Sequence, residues 1–325
     1  MKENDIRPKD IFEEYLKLAE EDTGTYFSSA SRENIQCPAC GSDGNYSFTK
    51  SGFDYEECPD CFSLYVNPRP DATAFSRYYL KSKSSKYWAT TFYRKTAEAR
   101  REQIWRPKAR LISESMAKLS AEQHNIVDIG GGYGLFAIEM RQLAKGEVVV
   151  IEPAAHLAQQ CREQSLLVVE KFLEQLEPGD LPDGPKFYVS FELFEHLHDP
   201  RDFLQSLGRL MDKDDYFIFT TLSGKGLDIR VLWENSKAVS PPHHLNFFNP
   251  VSIVSLLGKA GFNCLEVTTP GKLDINILEN NIELVADRFW KVFLESASAQ
   301  VKEQWQKMVT DTGQSSHMMI TCQKL

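Results

Sequence analysis

The chain has 325 residues, of which 42% are hydrophobic and 26% charged, and its formal net charge is −9. It is long enough to bury a sizeable core, and its length favours two domains or one domain with additions. Its acidity argues against a nucleic acid as the main partner, because proteins that bind phosphate backbones usually carry a basic surface. No apolar run is long enough to cross a bilayer, and the charged start MKENDIRPKD is unlike a signal peptide, so we expect a soluble, cytoplasmic protein without membrane insertion.

The first seventy residues predict a helix followed by a metal module. Residues 1–33 contain the amphipathic pattern DIFEEYLKLAEED and then a Ser-rich link. In residues 34–70, two Cys-x-x-Cys pairs are separated by seventeen residues, a spacing typical of a four-thiolate zinc site. Four thiolates leave no open position for a substrate, so the zinc is predicted to be structural. The predicted ligands are Cys37, Cys40, Cys58 and Cys61.

Residues 71–120 have a mostly helical pattern with many aromatic and basic residues. Such a stripe usually packs a small domain against its neighbour, and one of its tyrosines could also line a substrate cavity. We therefore expect a helical linker or lid that leads into a larger domain over residues 121–325.

From residue 125, short apolar runs alternate with helical stretches. This βαβ alternation predicts a mostly parallel sheet covered by helices on both faces. Ligands of such sheets bind beyond the carboxyl ends of the strands, where the strand order reverses. The first predicted strand, NIVDI, ends at a loop with the sequence GGGYG, which therefore lies where a ligand is expected.

The spacing of this loop distinguishes between possible ligands. Dinucleotide-binding loops follow G-x-G-x-x-G, but Leu135 stands at the last position of that pattern. Asp128 precedes the first glycine by two residues, where a carboxylate would repel a pyrophosphate and attract an ammonium group. The second predicted strand ends at Glu152, and an acidic side chain there can accept the hydroxyls of a ribose. S-adenosylmethionine carries both an amino acid ammonium and an adenosine.

The chain resembles the class I S-adenosylmethionine-dependent methyltransferases from about residue 104 to its end. VDIGGGYG, VVVIEP and FELFEHLHDP look like three motifs of that family, in the family's order. The resemblance implies a doubly wound, mostly parallel, seven-stranded α/β sheet. It places Gly130 and Gly132 near the methionine part of the cofactor, Asp128 at the ammonium and Glu152 at the ribose. It adds Gly131, Pro153 and Phe191 to the cofactor site, and Glu170 near the adenine.

Two histidine segments are candidates for the catalytic base. Glu195 and His196 follow the fourth predicted strand, and the segment resembles the E-H-x-x-D-P stretch of small-molecule methyltransferases. In sugar C-methyltransferases, which also carry paired N-terminal cysteines, the histidine matching His196 is thought to act as the base. His244 lies in SPPHHLNFF, which resembles another stretch of the same group. Either histidine could instead have only a structural role, and His198 is expected to face solvent.

The methyl acceptor is expected to be a small molecule, such as a sugar, a glycan end or a secondary metabolite, methylated on oxygen or carbon. Phe62 stands where related ribbons usually have glycine, and residues 271–316 insert about two helices that cover the pocket or form a subunit contact. The phenylalanine at residue 62 weakens an assignment to sugar C-methylation. The oligomeric state stays open. The alternatives are an RNA methyltransferase that grips RNA with its ribbon, or a pseudo-enzyme that only binds the cofactor.

Overall fold

The computed structural model describes residues 3–325, and helices form the amino-terminal part of this range. A short helix α1 (Glu3–Ile6) leads through a bend into the long helix α2 (Lys9–Phe27). The apolar face of α2 packs Phe12 and Tyr15 against Phe92 further along the chain. The predicted amphipathic helix is therefore present and is longer than its sequence pattern indicated.

The segment of residues 32–70, the cysteine module, consists of short antiparallel strands. Strand β3 lies between β2 and β4, and β1 pairs with β5. The bounds are β1 Arg32–Glu33, β2 Asn45–Lys50, β3 Phe53–Glu57, β4 Leu64–Val66 and β5 Arg69–Pro70.

Residues 72–118, the helical segment, contain four α-helices and two π-helical turns. Its second half packs Trp105, Ile112 and Met116 into the core beside the central sheet. The helices are α3 Ala72–Lys81, α4 Lys83–Tyr87, α5 Tyr93–Arg100 and α6 Arg106–Lys118, with π-helical turns at Trp88–Phe92 and Arg101–Trp105. Single π-helical turns of this kind are frequent at functional sites.

The centre of the molecule is a seven-stranded sheet. The strands in chain order are β6 Asn125–Ile129, β7 Val148–Ile151, β8 Leu167–Val169, β9 Lys186–Phe191, β10 Tyr216–Leu222, β12 Phe262–Thr268 and β13 His317–Lys324, while β11 Asn246–Phe247 pairs with β4 instead. Their spatial order is β12-β13-β10-β9-β6-β7-β8, and only β13 runs antiparallel to its neighbours. The predicted mostly parallel, doubly wound sheet is confirmed. The strand order reverses at β6, so the carboxyl ends of β6, β7 and β9 meet at one edge.

Helices cover both faces of this sheet. Along β6, Val127 and Ile129 belong to one buried cluster, whereas Ile126 belongs to the other. Burial on both faces explains the uninterrupted apolar runs in the sequence. The helices from here to the carboxyl end are α7 Leu135–Met140, α8 Ala155–Glu163, α9 Pro200–Leu210, α10 Leu227–Leu232, α11 Pro250–Lys259, α12 Asp274–Asn280, α13 Arg288–Ser296 and α14 Ala299–Asp311.

The insertion of residues 271–316 differs from the expectation of about two helices. It contains three α-helices, because the run predicted as one helix is interrupted between α12 and α13. Asp287 begins α13 by accepting a hydrogen bond from the Trp290 amide. Such an N-cap starts a new helix where apolar periodicity alone suggested continuity. Across residues 3–325, none of the helices combines the length and apolar character needed to span a membrane.

Candidate active site

The glycine loop follows β6 directly and exposes its backbone. Gly130 and Gly132 have φ values of 71° and 57°, in the left-handed region that glycine adopts without strain. No atom lies within 4 Å of the point where a Cβ of residue 132 would stand. A ligand can therefore approach the backbone at Gly132 closely.

Asp128 points its carboxyl group into this loop from the end of β6. The residue is 1% exposed, and its Oδ2 is buried without a hydrogen-bond partner. Burial, with a further contribution from Glu152, raises the pKa of Asp128 to about 7. A buried carboxyl oxygen without a partner is costly, and an ammonium group would remove that cost. The chemistry of this position fits the amino acid end of S-adenosylmethionine.

Glu152 at the end of β7 is held in place by backbone amides. The Gly132 N–H donates to its Oε2 and the Ala154 N–H donates to its Oε1, both at 2.9 Å. Burial nevertheless raises the pKa of Glu152 to about 7. Each carboxylate oxygen keeps a second lone pair, so this fixed group can also accept ribose hydroxyls.

The other predicted cofactor residues lie around the same edge of the sheet. A Cβ on Gly131 would approach Asp128 Oδ2 to 2.8 Å, so this position has no room for a side chain. Pro153 follows Glu152 and is half-buried. Glu170, immediately after β8, forms an ion pair with Arg162 at 2.9 Å. The structure thus places Glu170 at the expected strand end, paired with a cation of its own.

A narrow cavity adjoins the glycine loop. It is lined by Tyr93, Trp105, Asp128, Gly130, Gly131, Phe136 and Phe191. Its volume is about 20 Å³, whereas ligand pockets measure about 300–1,000 Å³. Tyr93 of the helical segment stacks on Tyr133 of the loop with ring centroids 4.1 Å apart. The helical segment is thus in direct contact with the glycine loop beside the cavity.

His196 and His244 lie together beyond β9. Their ring centroids are 4.8 Å apart, and Glu195 lies beside them with its Oε2 accepting a hydrogen bond from Thr221 Oγ1 at 2.9 Å. The three side chains offer ligand atoms that all lie within 4.8 Å of one another. The structure therefore brings the three predicted catalytic residues to one place, although they come from two separate loops.

Hydrogen bonds fix the protonation of both rings. His244 Nδ1 lies 2.5 Å from the Ala238 carbonyl oxygen, to which it can only donate, so Nε2 carries the lone pair. The His196 ring also has a hydrogen bond to the backbone of His243, which favours its protonated form. Burial lowers the pKa of His196 to about 4 and that of His244 to about 3. Both imidazoles are neutral at pH 7, and each has one nitrogen free to take a proton.

Glu192 is the strongest anion of the site and was not singled out in the sequence analysis. Although burial raises its pKa, His317 and Lys108 hold it well below the usual range. Thr220 Oγ1 donates to its Oε1 at 2.7 Å. The backbone of Glu192 has a φ of 53°, which is unusual for a residue other than glycine. The sequence offered one signal for Glu192, because it is an acidic residue directly after the fourth strand of the sheet. No sequence pattern pointed to Lys108 or His317 as residues of the site.

Two other histidines have structural contacts. His243 Nε2 lies 2.5 Å from the Tyr78 hydroxyl. His198 was expected to face solvent, but its Nε2 bonds the Pro70 carbonyl oxygen at 2.9 Å and its ring contacts Phe75. That expectation was wrong because strand β5 of the cysteine module packs over the loop that follows β9.

The four predicted zinc ligands converge in one cluster. Sγ of Cys37 lies 3.5 Å from Sγ of Cys61, and Sγ of Cys40 lies 3.3 Å from Sγ of Cys58. A tetrahedral zinc ion with Zn–S bonds of about 2.3 Å requires sulfur separations of about 3.8 Å. The cluster therefore fits a zinc ion after movements of a few tenths of an ångström.

The cysteine module holds the loop that carries His244. Strand β11, directly after that loop, pairs with β4 and extends the module's sheet. The Tyr55 hydroxyl donates to the His244 carbonyl oxygen at 2.7 Å. Asn249 Nδ2 donates to the Cys61 carbonyl oxygen, also at 2.7 Å. Strand pairing and hydrogen bonds thus attach the cysteine module to the loop of the histidine cluster.

Several solved structures are similar to this chain. The plantazolicin methyltransferase BamL, in complex with S-adenosylhomocysteine and a desmethyl substrate analog, is 12% identical with a TM-score of 0.49, over 77% of this chain and 93% of that one. An O-methyltransferase from a polyketide synthase multienzyme of Brevibacillus brevis is 14% identical with a TM-score of 0.46. The match covers 77% of this chain and 79% of that one. A possible histamine N-methyltransferase from Thermotoga maritima is 18% identical with a TM-score of 0.44. The match covers 72% of this chain and 98% of that one.

No curated protein matches this chain in sequence. The family model described as a methyltransferase domain matches residues 97–267, slightly more than half of the chain. The matched range contains the glycine loop, Glu152 and the histidine cluster. The chain therefore belongs to the methyltransferase domain family and is an S-adenosylmethionine-dependent methyltransferase of class I fold.

Proposed function

We propose that this enzyme methylates a small-molecule acceptor and that His196 removes the acceptor's proton, with His244 beside it. The observation that carries the proposal is the pair of half-buried, neutral imidazoles that lie together beyond the carboxyl end of β9. That edge of the sheet also carries the glycine loop. A base is needed when the accepting atom is a hydroxyl oxygen or an acidic carbon, and a neutral imidazole suits that task.

The cofactor site is assigned to the carboxyl ends of β6 and β7. Asp128 would bind the ammonium group of the cofactor, and Glu152 would accept the ribose hydroxyls. Gly130, Gly131 and Gly132 would provide bare backbone at the methionine part, with Phe191 and Pro153 adjoining. When bound, S-adenosylmethionine supplies an electrophilic methyl group.

The protein's own contribution is alignment, proton removal and exclusion of water. Fixing an acceptor in line with the methyl group lowers the barrier by up to about 7–11 kcal/mol in favourable systems. The acceptor's proton would pass to His196, and Glu192 raises the pKa of that imidazole and so favours its protonated form. The helical segment, which covers the glycine loop, would exclude water after closing.

The remaining proposals concern the division of the chain into domains and segments. Residues 1–33 would be an amino-terminal helix and link, 34–70 a structural zinc ribbon, 71–120 a lid, and 121–325 the methyltransferase domain with its insertion at 271–316. Within the domain, the ion pair of Glu170 with Arg162 makes Glu170 the weakest of the proposed cofactor contacts.

One observation favours a second form of the same chemistry. Glu195, His196 and His244 provide three atoms of the kind that bind divalent cations. A metal ion there would activate the acceptor as a Lewis acid in place of an imidazole base. Measuring the metal content of the purified protein distinguishes the imidazole base from the metal ion. One zinc ion per chain is expected if only the cysteines bind metal, and two ions per chain would indicate the second site.

The test uses S-adenosylmethionine labelled in its methyl group. We expect label to enter small molecules of a cell extract and not bulk RNA. His196→Ala should lower this transfer by at least about 100-fold, because general base catalysis contributes about 10²–10⁴-fold. Its dissociation constant for S-adenosylhomocysteine, measured by calorimetry, should stay within about threefold of the wild type.

The matched control is His156→Ala, which removes an exposed histidine of α8. This variant should transfer label at the wild-type rate. Equal transfer by His196→Ala and the wild type would refute the base assignment. Label that entered RNA, and not the small molecules, would instead support the ribbon as an RNA-binding element.

A further inference from the structure

The site contains more positive charge than its acidic residues neutralise. Arg7, Arg100 and Lys108 come from the bend after α1, from the end of α5 and from α6. Lys108 Nζ lies 3.5 Å from Glu192 Oε1. Arg7 and Arg100 both interact electrostatically with the same Glu192 carboxylate. Three cations thus share one strong anion.

The two guanidinium groups lack partners for buried nitrogen atoms. Arg100 is 8% exposed, and the Nε atoms of Arg7 and Arg100 are both buried without a hydrogen-bond partner. Each group rests on an aromatic ring 5.6 Å from its Cζ, Phe12 for Arg7 and Tyr93 for Arg100. Buried charges are costly unless an opposite charge and hydrogen bonds compensate them.

Among the side chains that the structure describes, three carboxyl groups near the arginines do not supply the missing charge. Glu192 is already shared with Thr220, Lys108 and His317. Asp128 and Glu195 have pKa values raised by burial to about 7 and about 8, so near neutral pH both are substantially protonated. An anionic ligand would therefore compensate the buried nitrogen atoms of these two arginines.

The position of the arginines indicates which ligand brings that anion. The Tyr93 ring under Arg100 lines the cavity beside the glycine loop. Arg7 lies close enough to His244 and His317 to lower the pKa of each. Arg100 is thus adjacent to the cofactor cavity, and Arg7, which follows the helix α1 that contacts α5, is within electrostatic range of the histidine cluster. A methyl acceptor must lie between the cofactor and the proposed base.

We propose that Arg7 and Arg100 form an anion subsite for the methyl acceptor, which is therefore a small molecule with a phosphate or carboxylate group. This inference rests on the proposed methyl transfer to a small molecule. Guanidinium groups match both anions, because their parallel N–H groups donate to two oxygens at once. The subsite would hold the anionic end of the acceptor while its reacting atom faces His196.

The cofactor's own carboxylate is the competing ligand for these arginines. Calorimetry on the full chain separates the two, with protein first saturated with S-adenosylhomocysteine and then titrated with inorganic phosphate. We expect phosphate to bind the saturated protein. Arg100→Gln and Arg7→Gln should each weaken phosphate binding at least about tenfold and leave S-adenosylhomocysteine binding within about threefold. Arg94→Gln, on the exposed side of α5, is the matched control and should change neither.

The outcomes distinguish this inference from the proposed function. If saturated wild-type protein takes up no phosphate, or if both variants bind phosphate normally, the anion subsite is refuted and the methyl-transfer proposal is unaffected. A large loss of S-adenosylhomocysteine binding in Arg100→Gln, with Arg100→Lys restoring it, would assign the arginine to the cofactor and overturn the inference. Absence of S-adenosylhomocysteine binding in the wild type would refute the proposed function itself.

Discussion

At the scale of single residues, the two cysteine knuckles differ at one position. In both, the amide of the fourth residue after the leading cysteine donates to that cysteine's carbonyl oxygen at 2.9 Å. Gly41 and Phe62 occupy this position with φ values of 86° and 57°. The left-handed conformation suits glycine and strains phenylalanine. The absence of glycine at residue 62, noticed in the sequence, therefore corresponds to local backbone strain.

The exchange Phe62→Gly should raise the free energy of unfolding by about 0.5–1 kcal/mol, since relief of the strain exceeds the entropy cost of glycine. Some of the gain is offset by the contact between the Phe62 ring and Lys225. The opposite exchange, Gly41→Ala, should lower the free energy of unfolding by about 1 kcal/mol. Urea denaturation at saturating zinc measures both values. A lower stability for Phe62→Gly would contradict the strain argument.

At the scale of elements, the cysteine module supports the loop that carries His244. Strand β4 pairs with β11, and Tyr55 bonds the His244 backbone. The glycine loop depends on other contacts, because it is fixed by β7 and by the helical segment. Loss of zinc is therefore expected to disturb the histidine cluster more than the cofactor site.

The variant Cys58→Ser tests whether the histidine cluster depends on the cysteine module more than the cofactor site does. The variant should lose its zinc, because three thiolates bind less tightly than four, and its methyl transfer should fall at least about tenfold. Its affinity for S-adenosylhomocysteine should remain within about threefold. Zinc content, transfer of labelled methyl groups and calorimetry measure these three quantities.

Cys264→Ser is the control for Cys58→Ser, since Cys264 lies on β12 outside the module. It should retain zinc, transfer and cofactor affinity. Undiminished transfer by zinc-free Cys58→Ser would show that the module does not position the loop. Loss of cofactor binding together with transfer would show that the module stabilises the whole fold.

At the scale of the whole molecule, buried titratable groups set the dependence of stability on pH. Burial raises the pKa values of Glu195 and Asp228 to about 8, the latter with help from Asp274. Such carboxyl groups stay protonated in the folded chain and ionise in the unfolded one, so stability falls as pH rises from about 4 to 8. The histidines with lowered pKa values, such as His196, act oppositely and reduce stability below about pH 6.5. The two effects oppose each other below about pH 6.5, whereas above that pH only the carboxyl groups act, so stability is expected to fall between about pH 6.5 and pH 8.

Asp228→Asn isolates one of these groups. Asp228 is 1% exposed, and both its carboxyl oxygens lack a hydrogen-bond partner. The variant avoids the cost of ionising a buried carboxyl, so its stability relative to the wild type should increase by about 1–3 kcal/mol between pH 5 and pH 8. Urea denaturation at the two pH values measures the change. Parallel pH dependence of variant and wild type would contradict the raised pKa.

The sequence by itself determined the sheet, the glycine loop and the four-cysteine cluster. These features depend on local patterns: apolar runs for buried strands, glycines for positive φ, and paired cysteines at a metal spacing. Asp128 and Glu152 could be found because they lie at the ends of strands whose carboxyl ends must meet at the same edge. The family resemblance added the histidines, which no local pattern distinguishes from structural ones.

Only the tertiary structure decided which distant residues share the site. Lys108, His317 and Glu192 meet through side chains from α6, β13 and the end of β9, and a linear sequence does not record that proximity. The unpaired charges of Arg7 and Arg100 likewise become visible only when their surroundings are known. Secondary structure follows from neighbours along the chain, whereas burial and charge compensation depend on neighbours in space.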